Sequence, residues 1–383
     1  MAEEILLIDD GDRYGRLRLI SWWRQDRLRE AKVLVVGAGA LGNEVLKNLA
    51  LLGIGHVFIV DCDTIETSNL TRSILYRAAD AGRPKSERAA EAVKAINPEV
   101  RVAALHGNVI TDLGLGVFAE MDVVIACLDS REARLWVNRQ CWKVGRPWVD
   151  GAIQEISGVA KVFVPPGGAC YECAMTERDY QLLNLKYSCP LLKNEDLAEG
   201  KVPTVPTISS IIAGIQTQEA LKILHGMPVQ EGAAMVFNGE SNRFYVTRFQ
   251  RRQDCLSHET WGPPVDVPLR ASDPVEGLLR ELGGRELHLE RDLLTDLSCP
   301  RCGTGREVFR PLASVTLREG RCGGCGGIMR PGIMHTVASG SGLARRTLRE
   351  VGVAPYDIVR ISAGDSGMYV RLAGDRAGVM AWR

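Results

Sequence analysis

The sequence of 383 residues lacks any unbroken apolar run of about 18 residues, the length that a membrane-spanning helix needs. It has no excess of charge, since 47 lysines and arginines balance 47 aspartates and glutamates. Zero net charge gives no general attraction to nucleic acid or to a membrane surface. The acidic start, MAEEILLIDDGDR, has no basic region of a secretory signal. These absences predict a cytoplasmic protein with neither nucleic acid nor membrane as a partner.

Cysteine is abundant, with eleven residues in a chain that shows no secretory signal. In a reducing compartment this number favours metal and thiol chemistry over disulfides. Apolar residues make up 45% of the chain and charged residues 25%, as in globular proteins. The length is sufficient for two domains with a large core.

A glycine-rich turn, VVGAGALG, joins an apolar strand to a helix near the N-terminus, and the strand VFIVDCD follows. Gly37 permits a sharp turn, Gly39 a close approach to a ligand, and Gly42 tight packing of helix on strand. Unpaired N–H groups at the helix start favour phosphate. Asp61, about 20 residues on, would accept hydrogen bonds from ribose. The pattern predicts a nucleotide-binding βαβ unit.

The flanking charges distinguish a triphosphate from a dinucleotide. Arg72 and Lys85 supply two cations, and Asp129 follows the apolar strand DVVIAC. Two cations and one carboxylate suit the binding of ATP with Mg²⁺. In such sites Mg²⁺ is coordinated by few protein carboxylates and by the substrate phosphates. The chemistry indicated is attack by a carboxylate on the α-phosphate with loss of pyrophosphate. Two alternatives remain, namely a nicotinamide dehydrogenase and ordinary surface cations.

Several ordered motifs, spread from Arg13 to about His258, carry a family resemblance; they are RYGR, GAGALG, KNLALLG, DCDTIETSNLTR, GRPKSE, CLDS, VDGA and ACYEC. Together they resemble the adenylation domain shared by ubiquitin-activating enzymes and the ThiF–MoeB-type adenylyltransferases that act on sulfur carriers. The wording of KNLAL, GRPK and LDS is nearer to the ubiquitin-type catalytic subunits. The resemblance implies a Rossmann-like α/β domain with a mainly parallel sheet.

The resemblance also implies roles for individual residues. Asp63 would lie near Mg²⁺ and the phosphates, and Asn69, Arg72 and Lys85 would contact the phosphates. Asp129 would bind Mg²⁺, and Arg16 would reach the ATP of a second subunit, which favours a homodimer. Arg13 and Arg16 could equally form a solvated helix face.

A four-cysteine zinc ribbon is predicted from spacing alone. Cys299 and Cys302 form one CxxC pair, and Cys322 and Cys325 form another after 19 intervening residues. A second zinc site is implied by the resemblance, with Cys170, Cys173, Cys255 and His258 as ligands. The family usually has cysteine at the last position, so His258 could instead be a loop histidine. Cys62, Cys127 and Cys141 are interpreted as core residues.

Cys189 lies where ubiquitin-type activating enzymes carry their thioester-forming cysteine. Lys186, Lys193 and Lys201 lie near it in the sequence, and such a setting favours the thiolate. The large catalytic-cysteine domain of eukaryotic enzymes is absent, so residues 174–205 would form a short catalytic loop.

The remaining chain is predicted to form a linker at residues 259–274 and a small α+β domain at residues 275–383. A helix over Ser341–Gly352 and two strands, YDIVRIS and MYVRLAG, faintly resemble the β-grasp ubiquitin-fold domain of activating enzymes. The zinc ribbon at residues 299–325 would be inserted into it. This domain would recruit a conjugating enzyme, or would only stabilise or dimerise the protein.

The overall prediction for residues 1–258 is ATP-dependent activation of the C-terminal carboxylate of a ubiquitin-like β-grasp protein. Cys189 would then form a thioester for transfer to a conjugating enzyme. The implied cofactors are ATP, Mg²⁺ and two structural Zn²⁺ ions. The alternatives are a sulfur-carrier adenylyltransferase that yields a thiocarboxylate and a non-catalytic scaffold for a ubiquitin-like protein.

Overall fold

The computed structural model describes residues 11–180, 203–315, 319–363 and 366–382. The strands of the first sheet are β1 Lys32–Val36, β2 His56–Asp61, β3 Arg101–His106, β4 Val123–Ala126, β5 Trp148–Gln154, β6 Ser157–Phe163, β7 Ala233–Asn238 and β8 Arg243–Arg248. The α-helices with defined bounds are α1 Gln25–Glu30, α2 Ala40–Leu52, α3 Lys85–Ile96, α4 Leu115–Glu120, α5 Arg131–Lys143, α6 Pro206–His225, α7 Val275–Glu281 and α8 Arg376–Val379.

The first sheet has eight strands in the order β3-β2-β1-β4-β5-β6-β7-β8. The first five are parallel and the last three pair antiparallel, so the sheet is mixed and mainly parallel as predicted. From β1 the chain first builds the sheet outward through β2 and β3, and then continues on the other side of β1 with β4. The strand order therefore reverses between β1 and β4. In open α/β sheets the ligand crevice lies at the carboxyl ends of the strands beside such a switch point.

Helices cover both faces of this sheet because its parallel strands are apolar on both sides. Alternate residues of β1 and β2 divide between two cores. Val33, Val35, Val57 and Ile59 pack on the face with α2 and α6. The intervening side chains, including Phe58, pack with those of α4 and α5. This arrangement positions the loops after β1, β2 and β4 along one edge.

The second sheet has six strands in the order β11-β10-β13-β14-β9, with β12 also paired to β10. Its strands are β9 Val265–Val267, β10 Glu286–Ser298, β11 Gly305–Pro311, β12 Arg330–Ala338, β13 Ile358–Ala363 and β14 Ser366–Leu372. The sheet packs on α7 around Leu278, Leu287 and Ile361. The long strand β10 leads directly into the first cysteine pair of the ribbon.

The two sheets share a hydrophobic core. Tyr356, Ile358 and Met380 belong to the same buried cluster as Phe58 and Trp148 of the first sheet. Polar contacts accompany this packing, because the buried Arg291 of β10 donates to the carbonyl groups of Ile110 and Leu113. The C-terminal part is therefore fixed against the face that carries α4.

One sequence expectation in the C-terminal part, the helix, is wrong. The α-helix expected over Ser341–Gly352 is replaced by a short 3₁₀ helix, Gly342–Arg345, and turns. Backbone contacts explain this, because the N–H groups of Leu348 and Arg349 donate to the carbonyls of Asp273 and Ala271. The linker expected at residues 259–274 contains β9, which pairs parallel with β14.

None of the helices in the described part of the chain combines the length and apolar character that a membrane span requires.

Candidate functional site

The turn after β1 can be built only with glycine at two positions. Gly37 has φ = 95°, and a Cβ there would lie 2.5 Å from the carbonyl oxygen of Cys127. A Cβ on Gly42 would lie 2.0 Å from the carbonyl oxygen of Gly37. Gly39, directly before α2, has no atom within 4 Å of its Cβ position, so the space beside it is open. The turn is therefore tightly packed at Gly37 and Gly42 and open at Gly39, where α2 begins.

Asp61, the last residue of β2, holds this turn through its carboxylate. Oδ2 accepts a hydrogen bond from the Ala38 N–H at 2.6 Å, and Oδ1 accepts one from the Asp63 N–H at 2.8 Å. Burial raises the pKa of Asp61, while the hydrogen bond from Ala38 and the charge of Lys85 oppose that shift. Asp61, which is predicted to bind the ribose, therefore also holds the glycine turn in place.

Lys85 begins α3 and lies almost buried beside the same turn. Its Nζ pairs with Asp63 Oδ2 at 2.7 Å, and its backbone N–H donates to the Asp63 carbonyl at 3.0 Å. The Tyr76 hydroxyl donates to the carbonyl of Ala38 at 2.7 Å and lies 3.2 Å from that of Lys85. One cation is therefore held close to the glycine turn.

Asn69 and Arg72 lie in the segment between β2 and α3. Asn69 Oδ1 accepts the Glu66 N–H at 3.0 Å, and Arg72 donates to the Ser68 carbonyl at 2.9 Å. Both side chains support the local fold of this segment. Binding of phosphate by them stays a prediction.

Asp129 follows β4 and is exposed. Its carboxylate has neither a hydrogen bond nor an ion pair within the described ranges. The next residue, Ser130, caps α5, with Oγ accepting the Ala133 N–H at 3.3 Å. An exposed, unpartnered carboxylate at the carboxyl edge of the sheet is suited to a hydrated divalent cation.

Two other predicted residues, Arg16 and Cys189, are not brought into this cluster by any contact in the described part of the chain. Arg16 lies exposed just before the 3₁₀ helix Leu17–Leu19, and no side-chain partner is seen for it among the described residues. Cys189 lies outside the described residues. The interpretation of Cys62 as a core residue is wrong, because its side chain is exposed, whereas Cys141 is buried.

The first metal-ligand group brings Cys170, Cys173, Cys255 and His258 together, with all ligand atoms within 4.8 Å of one another. The Sγ atoms of Cys170 and Cys255 are 3.5 Å apart, and Cys173 Sγ lies 3.3 Å from His258 Nε2. Tetrahedral zinc with Zn–S near 2.3 Å requires separations of about 3.8 Å. The imidazole of His258 stacks on Trp142 at 4.8 Å between centroids, so the donor set fits zinc.

The second group contains Cys299, Cys302, Cys322 and Cys325, also within 4.8 Å. Two Sγ···Sγ distances, Cys299 to Cys325 and Cys302 to Cys322, are 3.5 Å. The two pairs lie at the end of β10 and between β11 and β12. The four thiols fit a structural zinc ribbon by number, type and spacing.

Sequence reasoning missed the residues that support the site from behind. Asn43 donates to the carbonyls of Ala38 and Gly39 and accepts the Leu75 N–H. Gln216 of α6 donates to the Ala126 carbonyl at the end of β4. These are buried amides without a motif of their own, so a single sequence carries no signal for them.

Within the described part of the chain, this edge combines an open helix N-terminus, the held cation of Lys85 and the carboxylate of Asp129, which has no hydrogen bond or ion pair there. A polyphosphate could bind across them, with its negative charge offset by Lys85 and by the N–H groups of α2.

Comparisons with known proteins match the part of the chain that carries this cluster. The model of the ThiF family matches residues 12–257. Sulfur carrier protein adenylyltransferase of Thermus thermophilus is 34% identical over 224 residues, or 56% of this chain and 78% of that one. SAMP-activating enzyme E1 of Haloferax volcanii is 32% identical over 239 residues, or 60% and 81%.

A mouse relative and a solved structure extend the comparison. Adenylyltransferase and sulfurtransferase MOCS3 of Mus musculus is 33% identical over 234 residues, which is 61% of this chain. The match spans only 48% of that longer relative. The crystal structure of E. coli MccB with ATP superposes with a TM-score of 0.56 at 23% identity, over 67% of this chain and 77% of that one. That structure shares the fold.

Proposed function

Because the chain belongs to the ThiF family, we propose that it adenylates the C-terminal carboxylate of a ubiquitin-like β-grasp protein with ATP. The observation that carries the proposal is the charge arrangement at one sheet edge. Lys85 is fixed by Asp63 beside the open turn, while the exposed Asp129 has no hydrogen bond or ion pair among the described residues. Hydride transfer does not require a cation beside the phosphates together with a carboxylate for a divalent cation, whereas phosphoryl transfer does.

The mechanism begins with the triphosphate against the N-terminus of α2. A carboxylate oxygen of the carrier protein attacks the α-phosphorus, and the bond to the departing pyrophosphate breaks. Lys85 and Arg72 offset the negative charge that develops, and Asp61 orients the ribose. Magnesium, held by Asp129, would neutralise phosphate charge. Arg16 would act on the ATP of a second subunit in a homodimer.

Transfer is the finer part of the proposal. The thiolate of Cys189 attacks the acyl carbon of the acyl-adenylate, the bond to AMP oxygen breaks, and AMP leaves with the electron pair. A thioester results, which a conjugating enzyme could accept. The shared core gives the C-terminal part a stabilising role whether or not it recruits that enzyme.

A surface for the carrier protein is available at the end of the first sheet. Strand β8 is the edge strand, and all its residues are exposed. Phe244 and Tyr245 are about half exposed, at 54% and 51%. No strand of the described residues pairs with the outer edge of β8. Such an edge can accept a strand from a partner, which supports a β-sheet protein as the substrate.

The second candidate is a sulfur-carrier adenylyltransferase, which would make a thiocarboxylate. The relatives from Thermus thermophilus and mouse favour it, since their names record sulfur carriers or sulfur transfer. Both candidates use the same adenylation step.

The test is non-reducing mass spectrometry after mixing the chain with ATP, Mg²⁺ and candidate β-grasp proteins, beside a Cys189→Ala variant. A thiol-labile adduct that needs ATP and is lost in the variant would support the thioester. Pyrophosphate release without an adduct, or a persulfide on Cys189, would favour the sulfur carrier. Absence of ATP–pyrophosphate exchange with every carrier would favour a non-catalytic scaffold.

A further inference from the structure

A buried ion cluster lies beneath the candidate site and has no part in the mechanism above. Asp150, in β5, is fully buried and pairs with Arg134 Nε at 2.9 Å and with Lys161 Nζ at 3.2 Å. Arg134 itself has a side chain only 11% exposed. Burying three charges costs desolvation that apolar packing would avoid. The cluster therefore invites a functional explanation.

Arg134 also donates to two backbone carbonyls near the sheet edge. Its Nη2 donates to the carbonyl of Leu128, two residues after the end of β4, and to the carbonyl of Gly151 within β5 at 3.1 Å. A planar guanidinium can make these bonds and the Asp150 pair together, whereas an ammonium group cannot. Arg134 thus ties the end of β4 to β5.

Asp129 stands between two backbone positions that involve Arg134. The carbonyl before it, of Leu128, accepts from the Arg134 side chain. The carbonyl after it, of Ser130, accepts the Arg134 N–H at 3.1 Å. Although burial lowers the pKa of Arg134, Asp150 and, to a smaller extent, Asp129 raise it. Two hydrogen bonds to backbone carbonyls, one on each side of Asp129, therefore connect Arg134 with the segment that carries this carboxylate.

We propose that Arg134 is a positioning residue that, held by Asp150, fixes the backbone of Leu128 so that the Asp129 carboxylate faces the metal-bound triphosphate. This inference rests on the proposed function and names a residue pair that the reaction would require. Arg134 would touch neither nucleotide nor metal, and its effect would pass entirely through Asp129.

The experiment measures Mn²⁺ binding by electron paramagnetic resonance with a non-hydrolysable ATP analogue, using the full chain. The variants are Arg134→Gln, Arg134→Lys, Asp129→Asn and the double variant Asp129→Asn with Arg134→Gln. Arg371→Gln is the matched control, because it removes a two-point arginine–carboxylate pair with Asp266 far along the chain. Thermal unfolding is recorded for every protein.

We expect Arg134→Gln to raise the half-saturating Mn²⁺ concentration at least about tenfold, which corresponds to about 1.4 kcal/mol of binding free energy. Arg371→Gln should leave the half-saturating Mn²⁺ concentration unchanged. In the Asp129→Asn background the same substitution should change Mn²⁺ binding little, since its target is already gone. If Arg134→Gln does not fold, Arg134→Lys should show the same loss to a smaller extent.

An equal loss in both backgrounds would overturn the inference, because it would show a general structural effect. Unchanged Mn²⁺ binding in the Arg134 variants would also overturn it and leave the proposed function standing. A wild-type chain without nucleotide-dependent Mn²⁺ binding would refute the proposed function, and this inference with it.

Discussion

Gly37 and Gly39 stand two positions apart and have opposite surroundings. Gly37 needs its positive φ, and a Cβ there would meet the Cys127 carbonyl at 2.5 Å, whereas the space beside Gly39 is open. We expect Gly37→Ala to lower stability by about 2 kcal/mol or more through strain and overlap. Gly39→Ala should unfold like the wild type but bind ATP more weakly, because its methyl group enters the open space. Thermal unfolding and calorimetric ATP titration separate the two effects.

Normal ATP affinity in Gly39→Ala would contradict the placement of the triphosphate at the start of α2.

Lys85 offers a second test at the same scale. Replacing it by Met keeps much of the buried side-chain volume but removes the charge beside Asp63. Loss of one preorganised charge at a phosphoryl-transfer site is expected to reduce ATP–pyrophosphate exchange roughly 100-fold. Lys222→Met is the control, since that lysine is also partly buried and pairs with Glu219 one turn earlier in α6. Exchange above half the wild-type rate in Lys85→Met would argue against contact with phosphate.

The two cysteine groups make a prediction about whole elements. We expect two zinc ions per chain by native mass spectrometry and elemental analysis, because both donor sets fit tetrahedral zinc. Cys302→Ser should leave one ion and destabilise the ribbon, while ATP–pyrophosphate exchange continues. Cys170→Ser should lower the unfolding temperature further, since Cys170 is buried against Trp142. A wild-type chain that retains fewer than two ions would contradict this assignment.

Elements with a strong local signal could be predicted from the sequence, and those set by distant contacts could not. The apolar strand, the glycine turn and the two CxxC pairs of the ribbon depend on residues close in the chain. The 3₁₀ turn at Gly342–Arg345 depends on backbone bonds to residues 271 and 273, which no local pattern reveals. Likewise, Asp150 lies within the VDGA motif, but its pairing with Arg134 depends on the fold and not on the local sequence.

At the scale of the whole molecule, the shared core predicts that neither sheet is independent. Tyr356, Ile358 and Met380 fill the face of the first sheet behind Phe58. A chain cut at residue 258 would expose that face to water, at a cost of several kcal/mol. We expect the fragment to aggregate, and the full chain to unfold in one transition by calorimetry. A soluble fragment with a sharp transition of its own would contradict the shared core.

The contact between the two parts also predicts a pH dependence. Burial opposes the shift, but hydrogen bonds from Arg376 and Tyr356 lower the pKa of Glu120 to about 2. A carboxyl group whose pKa is lower in the folded than in the unfolded protein stabilises the fold at pH values above its unfolded pKa, which is near 4.3. This stabilisation is lost as the pH falls toward the folded pKa of about 2. As the pH falls from about 4.3 to about 2, the free energy of unfolding should therefore decrease by roughly 1–3 kcal/mol more in the wild type than in Glu120→Gln. Urea unfolding at pH 7, 4 and 3 measures this difference.

The position of the last aromatic residue has a consequence for synthesis. Trp382 packs edge-on against His56 and Phe58 of β2. Ribosomes extend chains at about 5–20 residues per second, so β2 waits for roughly 20–60 seconds before this ring emerges. During that interval the first sheet has an uncovered apolar face, and nascent chains would depend on holdase chaperones until translation has passed residue 382.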